Sequence, residues 1–585
     1  MDRATAAAEA LLARLLPALA AQLRPAGGLH DPLLDAPTPP DHYGNLSTAL
    51  ALSAAGQAAA ATIALDAWLA TPAEKLGHLP FNRLLLLLLR QLQTDDAALA
   101  PKLAAGLARC PLRPPYPSNN WSLLAAATQV LETGGDSQER IEARDEFLAL
   151  LQRWTTADGG FIDFPARPAG HVATPQAYHH KALFLTALLA RLDGDAALAA
   201  QARRLLDWAA RYWDAAALAG GLGRSSHALF GDGCLLAALL LLAPRCDGPA
   251  PAAALATRLA SQFRADGLLW LTPAGAWAAD AGWDNYMHLS VYNAWTAGVV
   301  AFALHLSKHT EAPAALREIQ WQGGQRPARF HDEAAGLLCL RSASGASLTL
   351  GTRGQLPQAF SLNEAELRYA GGQPFHFVSA DGQPLLPPPL RRPLAELLAQ
   401  PALAGWTPLF RAGGRLYALS DFDEVTIEPQ AEGCRVVLDG SARALTRRPP
   451  DTAWRRLVAA FDWRFLSGRL GRSESLRRQR LPGLKGRLVM ELGLAPPRIS
   501  RELQLEVSAQ GAIEYLNPQG HALMADAGWQ LAEAEPHAPA DQSWQECALP
   551  VTLPGGLGRC LPRRRLAAGT HRWRLALALP PSPDQ

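Results

Sequence analysis

The chain has 585 residues, 49% apolar and 18% charged, which is too long for a single core and too apolar for a disordered polymer. Its 55 basic and 53 acidic side chains nearly cancel, so no overall field points to nucleic acid and no such partner is expected. Seven scattered cysteines, with no CxxC or Cys/His cluster, suggest neither a disulfide framework nor a zinc site.

Met1–Arg24 has helical periodicity broken by Asp2, Arg3, Glu9, Arg14 and Arg24, and lacks the basic start and short apolar core of a signal peptide. The apolar run Leu84–Leu89 is too short to cross a bilayer. The expectation is a soluble protein in the cytoplasm, or in the periplasm if the true start or export route differs. No membrane partner is expected, and the oligomeric state is left open.

Up to about residue 308, Ala/Leu-rich stretches of helical length alternate with loops rich in Gly, Pro and aromatics. Helices are predicted over Ala4–Leu23, Leu46–Leu69, Arg83–Leu92, Ser122–Leu131, Ala182–Leu192, Ala196–Trp213 and Cys234–Leu242. A loose repeat runs through them. Gly27-Gly28-Leu29-His30-Asp31 precedes a helix opened by Tyr43. Asp158-Gly159-Gly160-Phe161-Ile162-Asp163 precedes one opened by Tyr178-His179-His180-Lys181, and Asp266-Gly267-Leu268-Leu269-Trp270 one opened by Asp284-Asn285-Tyr286. Gly220-Gly221-Leu222-Gly223-Arg224 is a shorter version. Repeated helix, Gly loop and helix imply stacked helical hairpins. Closed into a ring, they would set the helix-opening clusters around one cleft; an open solenoid is the alternative.

Beyond about residue 325 the hydrophobic period becomes two. Strands are predicted over Leu337–Ser342, Ser347–Gly351, Glu366–Tyr369, Arg435–Leu438, Arg487–Glu491, Gln504–Val507 and Trp573–Leu579. The fold class expected is therefore α+β multidomain: an (α/α) toroid of helical hairpins over 1–308, a linker over 309–324, and an antiparallel β-sandwich over 325–585. Arginine is crowded between Arg443 and Arg501, either as a solvated face or as a rim that attracts an anionic polymer.

Polar residues at helix-opening loops stand out in so apolar a first half. Asn119-Asn120-Trp121 could be a helix cap with an aromatic staple, or a set of amide donors with a stacking face. His171 with Tyr178, His179 and His180 puts three histidines and a tyrosine beside a Gly loop. Arg224, preceded by glycines and followed by Ser225, Ser226 and His227, suits an anion site. Trp283, Asn285, Tyr286 and His288 form a fourth cluster. Asn, His, Tyr and Arg are the side chains that β-elimination of a uronate requires. The carboxylate must be neutralised to acidify the neighbouring C–H, a base removes that proton, and an acid protonates the departing glycosidic oxygen. Aromatic rings offer stacking faces for sugars.

An Asn-Trp segment, an Asp-Gly-Gly-Phe-Ile loop, a following Tyr and then a Gly-Arg resemble the chondroitin/hyaluronate type of polysaccharide lyase. The layout is also similar to the heparinase II/III and alginate lyase group. The resemblance implies that Asn120 (or Asn119) neutralises the carboxylate, that Tyr178 and a histidine move protons, and that Arg224 holds the site. Trp121, His171, His227, Trp283, Asn285, Tyr286 and His288 would then line the substrate path. The chain departs from the pattern after the Gly loop, where Asp163 and Phe164 stand in place of the family's His, so His171, His179 and His180 all remain candidates. The His-rich metal segment of heparinase-type β domains has no counterpart either. No cofactor is predicted, and a structural divalent metal is left open. The implied partner is an acidic poly- or oligosaccharide. The alternatives are a glycoside hydrolase using Asp158, Asp163, Asp232 or Asp284, and a non-catalytic saccharide-binding or biosynthetic accessory protein.

Overall fold

The computed structural model describes residues 3–580 except 26, 93–97, 117, 134, 136, 164–175, 220–228, 274–286, 325–326, 355–360, 432, 447–449, 467–468, 472–478, 509–511, 536–543 and 550–554. Its first half is a toroid of twelve consecutive helices: α1 (Arg3–Ala21), α2 (Gly44–Ala54), α3 (Ala58–Ala70), α4 (Leu79–Leu92), α5 (Ala100–Ala108), α6 (Asn119–Glu132), α7 (Gln138–Arg153), α8 (Gln176–Asp193), α9 (Ala196–Tyr212), α10 (Leu229–Leu242), α11 (Pro251–Ala260) and α12 (Leu289–His309).

The even-numbered helices pack in sequence, α2 on α4 and so on to α12, and α12 returns to α2. That closed circuit is a ring, not an open solenoid. Each odd-numbered helix packs outside its inner partner, and α1 completes the sixth hairpin by packing on α12 and α11. Burial follows from the position. Every residue of α10 is buried, as is almost all of α12, whereas α7 buries only Phe147 and Leu151. Helices α1 and α12 have the length and apolarity to cross a membrane; α12 is instead the wall between two inner neighbours and an outer one.

The sequence expectation of one helix over Leu46–Leu69 is corrected to two. Gly56 adopts φ +72° between α2 and α3, a left-handed turn that Gly takes without strain.

Three antiparallel sheets make up most of the second half, in agreement with the expected architecture. A four-stranded sheet is built from Arg329–Asp332, Leu337–Arg341, Ser347–Gly351 and Gln373–Val378. A ten-stranded curled sheet is centred on the long strands Gly433–Ala444, Arg480–Leu494, Pro497–Val507 and Gly569–Ala578. The strand expected at Glu366–Tyr369 lies instead at Glu364–Glu366, paired with Arg391–Pro393; Leu367 and Ala370 close a turn after it.

The small sheet is the middle layer of the molecule. Leu338, Leu340, Leu348, Leu350 and Phe377 face the core shared with the large sheet. Leu337, Cys339 and Phe375 face the other way, onto Trp208 and Tyr212 of α9. Strand residues alternate between faces, so Leu337–Arg341 reads as an unbroken apolar run because both faces are covered.

The ring closes on a buried carboxylate. Asp31, in the first Gly loop, accepts from the backbone N–H (2.9 Å) and Oγ (2.8 Å) of Ser290 at the start of α12, and from Leu33 N (3.0 Å). Asp31→Ala should therefore lower unfolding free energy by roughly 1.5–3 kcal/mol, the range for lost hydrogen bonds to a charged group. Urea denaturation measures it. A variant as stable as the parent would mean that this seam does not hold the ring.

Candidate functional site

All six inner helices begin at the same end of the ring, and residues at or within two turns of their starts touch. Tyr43 stacks on Phe81 with centroids 4.7 Å apart, Phe230 stacks on Trp295 at 5.3 Å, and Phe81 lies 5.6 Å from Trp121. These residues come from α2, α4, α10, α12 and α6; α8 adds Lys181, whose Nζ lies 4.5 Å above the Phe81 ring. An aromatic floor thus closes the ring axis.

Beside this floor lies a buried polar chain. Asp163 Oδ1 accepts from the backbone N–H of Asn120 at 3.1 Å and from its side-chain Nδ2. Asn120 Nδ2 also donates to Ser118 Oγ (2.7 Å), and Asn120 Oδ1 accepts from Lys181 Nζ. Asn119 is tied to the same loop through its N–H to Asp163 O (2.9 Å) and its amide to Ile162 O (2.8 Å). Burial pulls the Lys181 ammonium down to about 7, against the opposing pull of Asp163. The amide protons of Asn120 are thus both spent inside the chain, so any effect on a ligand passes through Lys181 and the helix start.

A cluster of imidazoles also borders the floor. His42, before α2, has its ring 4.2 Å from that of His78, before α4, and 4.9 Å from that of His288, before α12. His78 in turn lies 5.1 Å from Trp121. Burial, followed by repulsion from His78 and His288, lowers His42 to about 4. Burial is also the first cause of the lowered values of His78 and His288. All three are neutral at neutral pH and able to take a proton. His78 Nδ1 lies 2.7 Å from Asp41 O, a contact to a carbonyl in which the nitrogen must donate, leaving Nε2 as the acceptor.

Asp41, His42 and His78 can each offer a ligand atom within 4.8 Å of the others. Tetrahedral zinc needs ligand atoms roughly 3.3 Å apart, and the rings of His42 and His78 overlap with planes only 31° apart, so their in-plane lone pairs do not converge. A cation would require rearrangement here, and among the described residues this is the one such cluster.

The remaining sequence candidates fare differently. Tyr178 is partly exposed, packs against the core edge, and lies three residues from Lys181 on α8, hence on the same helix face. His179 is fully buried; Nδ1 accepts from Phe161 N (3.1 Å) and Nε2 lies 3.0 Å from Leu205 O. Both nitrogens serve the backbone, which leaves none for proton transfer. The ring occupies the place taken in the other repeats by Asn45, which accepts from Leu29 N (2.8 Å), and Asn293, which accepts from Leu269 N (2.7 Å). His180 is buried, lowered to about 4 by burial, with Asp232 opposing. Of the proposed hydrolytic acids, Asp163 is engaged as above and Asp232 pairs with Arg258 at 2.7 Å, while Asp158 is exposed, 3.9 Å from Arg211. His171, Arg224, His227, Trp283, Asp284, Asn285 and Tyr286 lie outside the described residues. Sequence reasoning overlooked His42 and His78. The signal was available, since His42-Tyr43 and His78 open helices just as Tyr178-His179 does.

No family model and no curated relative matches the chain. Among solved structures, an inactive variant of the α-1,6-mannanase of Salegentibacter sp. HEL1_6 in complex with α-1,6-mannotriose is 11% identical, at a TM-score of 0.36, covering 52% of this chain and all of the other. A mutant of the heparan sulfate lyase HepC from Pedobacter heparinus is 8% identical at 0.42, covering 92% of this chain and 76% of that one. A Paenibacillus xanthan lyase is 10% identical at 0.45; all of this chain aligns, but with only 57% of the other's length. Likenesses this distant carry no conclusion about activity.

Two outcomes follow from the geometry. His179→Asn should fold nearly as well as the parent, because Asn fills the same clamp in two other repeats. His179→Ala should lose roughly 1–3 kcal/mol by stranding the Phe161 N–H, as read by denaturation. Secondly, His42, His179 and His180 have native pKa values of about 4, 3 and 4 against 6.5 unfolded. The unfolded chain therefore binds more protons between these values. Their stabilising contribution is complete above 6.5 and is lost as pH falls through the native values. Calorimetry should show Tm dropping steadily as pH falls from 6.5 toward 4.

Proposed function

We propose that this chain is a carbohydrate-active enzyme that cleaves a uronate-containing poly- or oligosaccharide by β-elimination at the helix-opening end of its toroid. The observation that carries this reading is the Lys181–Asn120 contact. It fixes the Tyr178 face of α8 against the first turn of α6, where Trp121 meets the neutral imidazole of His78.

In this reading a neutral rim imidazole removes the proton next to the substrate carboxylate. The electron pair left on carbon forms a double bond and expels the glycosidic oxygen, which takes its proton from Tyr178. Lys181 and the N-terminal ends of six inner helices supply positive potential where the enolate-like charge develops. Trp121 offers a stacking face. Arg224 keeps its sequence-derived role as the anion-holding residue. For the hydrolase alternative, Asp163 and Asp232 are already engaged, so its acids would have to come from Asp158 and Asp284.

The test is ultraviolet absorbance from the conjugated product on a panel of uronate polymers, with Tyr178→Phe beside the parent. Loss of an acid–base group should cut turnover on the order of 10²–10⁴-fold, with Tm unchanged. A Tyr178→Phe enzyme with full turnover would remove Tyr178 from proton transfer. Loss of saccharide without any absorbance change would replace the lyase by a hydrolase.

A further inference from the structure

Between the strands Gly433–Ala444 and Arg480–Leu494, which pair directly along most of their length, the chain makes a long excursion over residues 445–479. Two adjacent antiparallel strands need only a two-residue turn. The excursion instead carries the helix Ala453–Phe465.

This helix is well made, and among the described residues little covers it. Thr452 caps its start by accepting from Arg455 N (3.3 Å), and Asp462 receives Leu470 N and Gly471 N, each at 2.9 Å, which folds the following segment back. Asp462 is the one buried residue of the helix. Trp454, Leu457, Phe461 and Phe465 recur at spacings of three and four, so they form one stripe. All four are exposed, Trp454 by 71%, and Trp463 is 81% exposed. Phe461 and Phe465 contact each other at 5.0 Å.

The charge of the excursion is as unusual as its apolarity. Residues 445–479 contain nine arginines against Asp451, Asp462 and Glu474, a net of +6, whereas the whole chain nets +2. The rest of the protein therefore nets −4. An exposed apolar stripe of Trp, Leu and Phe flanked by arginine is the signature of a helix lying in a lipid interface. A second copy of the chain fits poorly, because a twofold contact through this helix would set Arg455, Arg456 and Arg464 against their own copies with Asp462 alone opposing them. A sugar polymer fits poorly too. The stripe includes Leu457 and Val458, and the helix has no Asn, Gln, His or Tyr to bond hydroxyls.

We propose that the Ala453–Phe465 helix docks the protein on an anionic lipid surface, the stripe entering the acyl boundary and the arginines meeting the headgroups. This runs against the expectation of no membrane partner drawn from the sequence as a whole. It leaves the toroid site untouched.

The test is flotation of the full-length protein with phosphatidylcholine vesicles, with or without phosphatidylglycerol, at low and high salt. The parent should float with the anionic vesicles only, less so at high salt. Leu457→Glu/Phe461→Glu, both at exposed positions, should reduce binding at least tenfold with Tm unchanged. Failure to bind anionic vesicles overturns the proposal, as does equal binding to neutral ones. Sedimentation and polyuronate binding are measured in parallel. A dimer, or a polyuronate complex, abolished by the same double variant without any vesicle binding would give the stripe to that occupant instead.

Discussion

A helix that is apolar on every side must be covered on every side, and this requirement governs the first half of the molecule. Helices α8, α10 and α12 meet it by each taking two inner neighbours and one outer one. The close contacts need small residues. A Cβ on Gly233 of α10 would lie 2.6 Å from Thr296 Oγ1, and one on Gly298 of α12 would lie 2.9 Å from the Ser47 carbonyl of α2. Once the ring closes, its six inner helices are parallel and their starts share one end. The convergence of His42, His78, Trp121, Lys181 and His288 is therefore a consequence of packing, and the chemistry available there depends on it.

The same economy fixes the β half. The four-stranded sheet has no free face, because one is spent on α9 and the other on the large sheet. Its Asp332 accepts from Thr156 Oγ1 (2.6 Å) and Trp208 Nε1 (2.8 Å). A Cβ on Gly160 would meet both Trp208 and Asp332. The Asp-Gly-Gly loop is thus pinned between toroid and sheet before it reaches Asp163 and Asn120. A buried hydrogen bond between His376 and Asp214 fastens a second point of the seam. The β domain therefore steadies the loop that positions the start of α6.

Much of this was legible in the sequence, for physical reasons that also explain what was not. Period and Gly loops report local backbone preferences, so the stack of hairpins and the switch to strands could be read directly, whereas closure into a ring rather than an open solenoid could not. Helix α7, QERIEARDEFLALLQR, is mostly solvated and gave a weak apolar signal. The break at Gly56 was hidden because alanines on both sides favour continuing the helix. The candidate site was half legible. Tyr178 and Asn120 lie beside recognisable motifs, but His42 and His78 meet only because α2 packs on α4, and His288 joins them only because α12 returns to α2. The Ala453–Phe465 helix was read as an arginine-rich stretch because charge dominated its composition, while its stripe is visible only at helical spacing.

The repeat also separates scaffold from function within a pair of adjacent residues. In the third Gly loop the clamp is Asn293, and the residue before it, Tyr292, is buried against Phe230 at 5.6 Å. In the second, the clamp is His179, and the residue before it, Tyr178, is partly exposed. The two pairs do the same backbone work, since each clamp holds a loop N–H in place. What differs is the company of the tyrosine. Tyr292 faces an aromatic wall, whereas Tyr178 shares its helix face with Lys181, which joins Asn120 and Asp163. A histidine with both nitrogens bonded to backbone cannot move a proton without releasing its loop. Of the two adjacent residues that the sequence marked together, the histidine is therefore committed to the scaffold, and its clamp fixes where the Tyr178–Lys181 face of the helix lies.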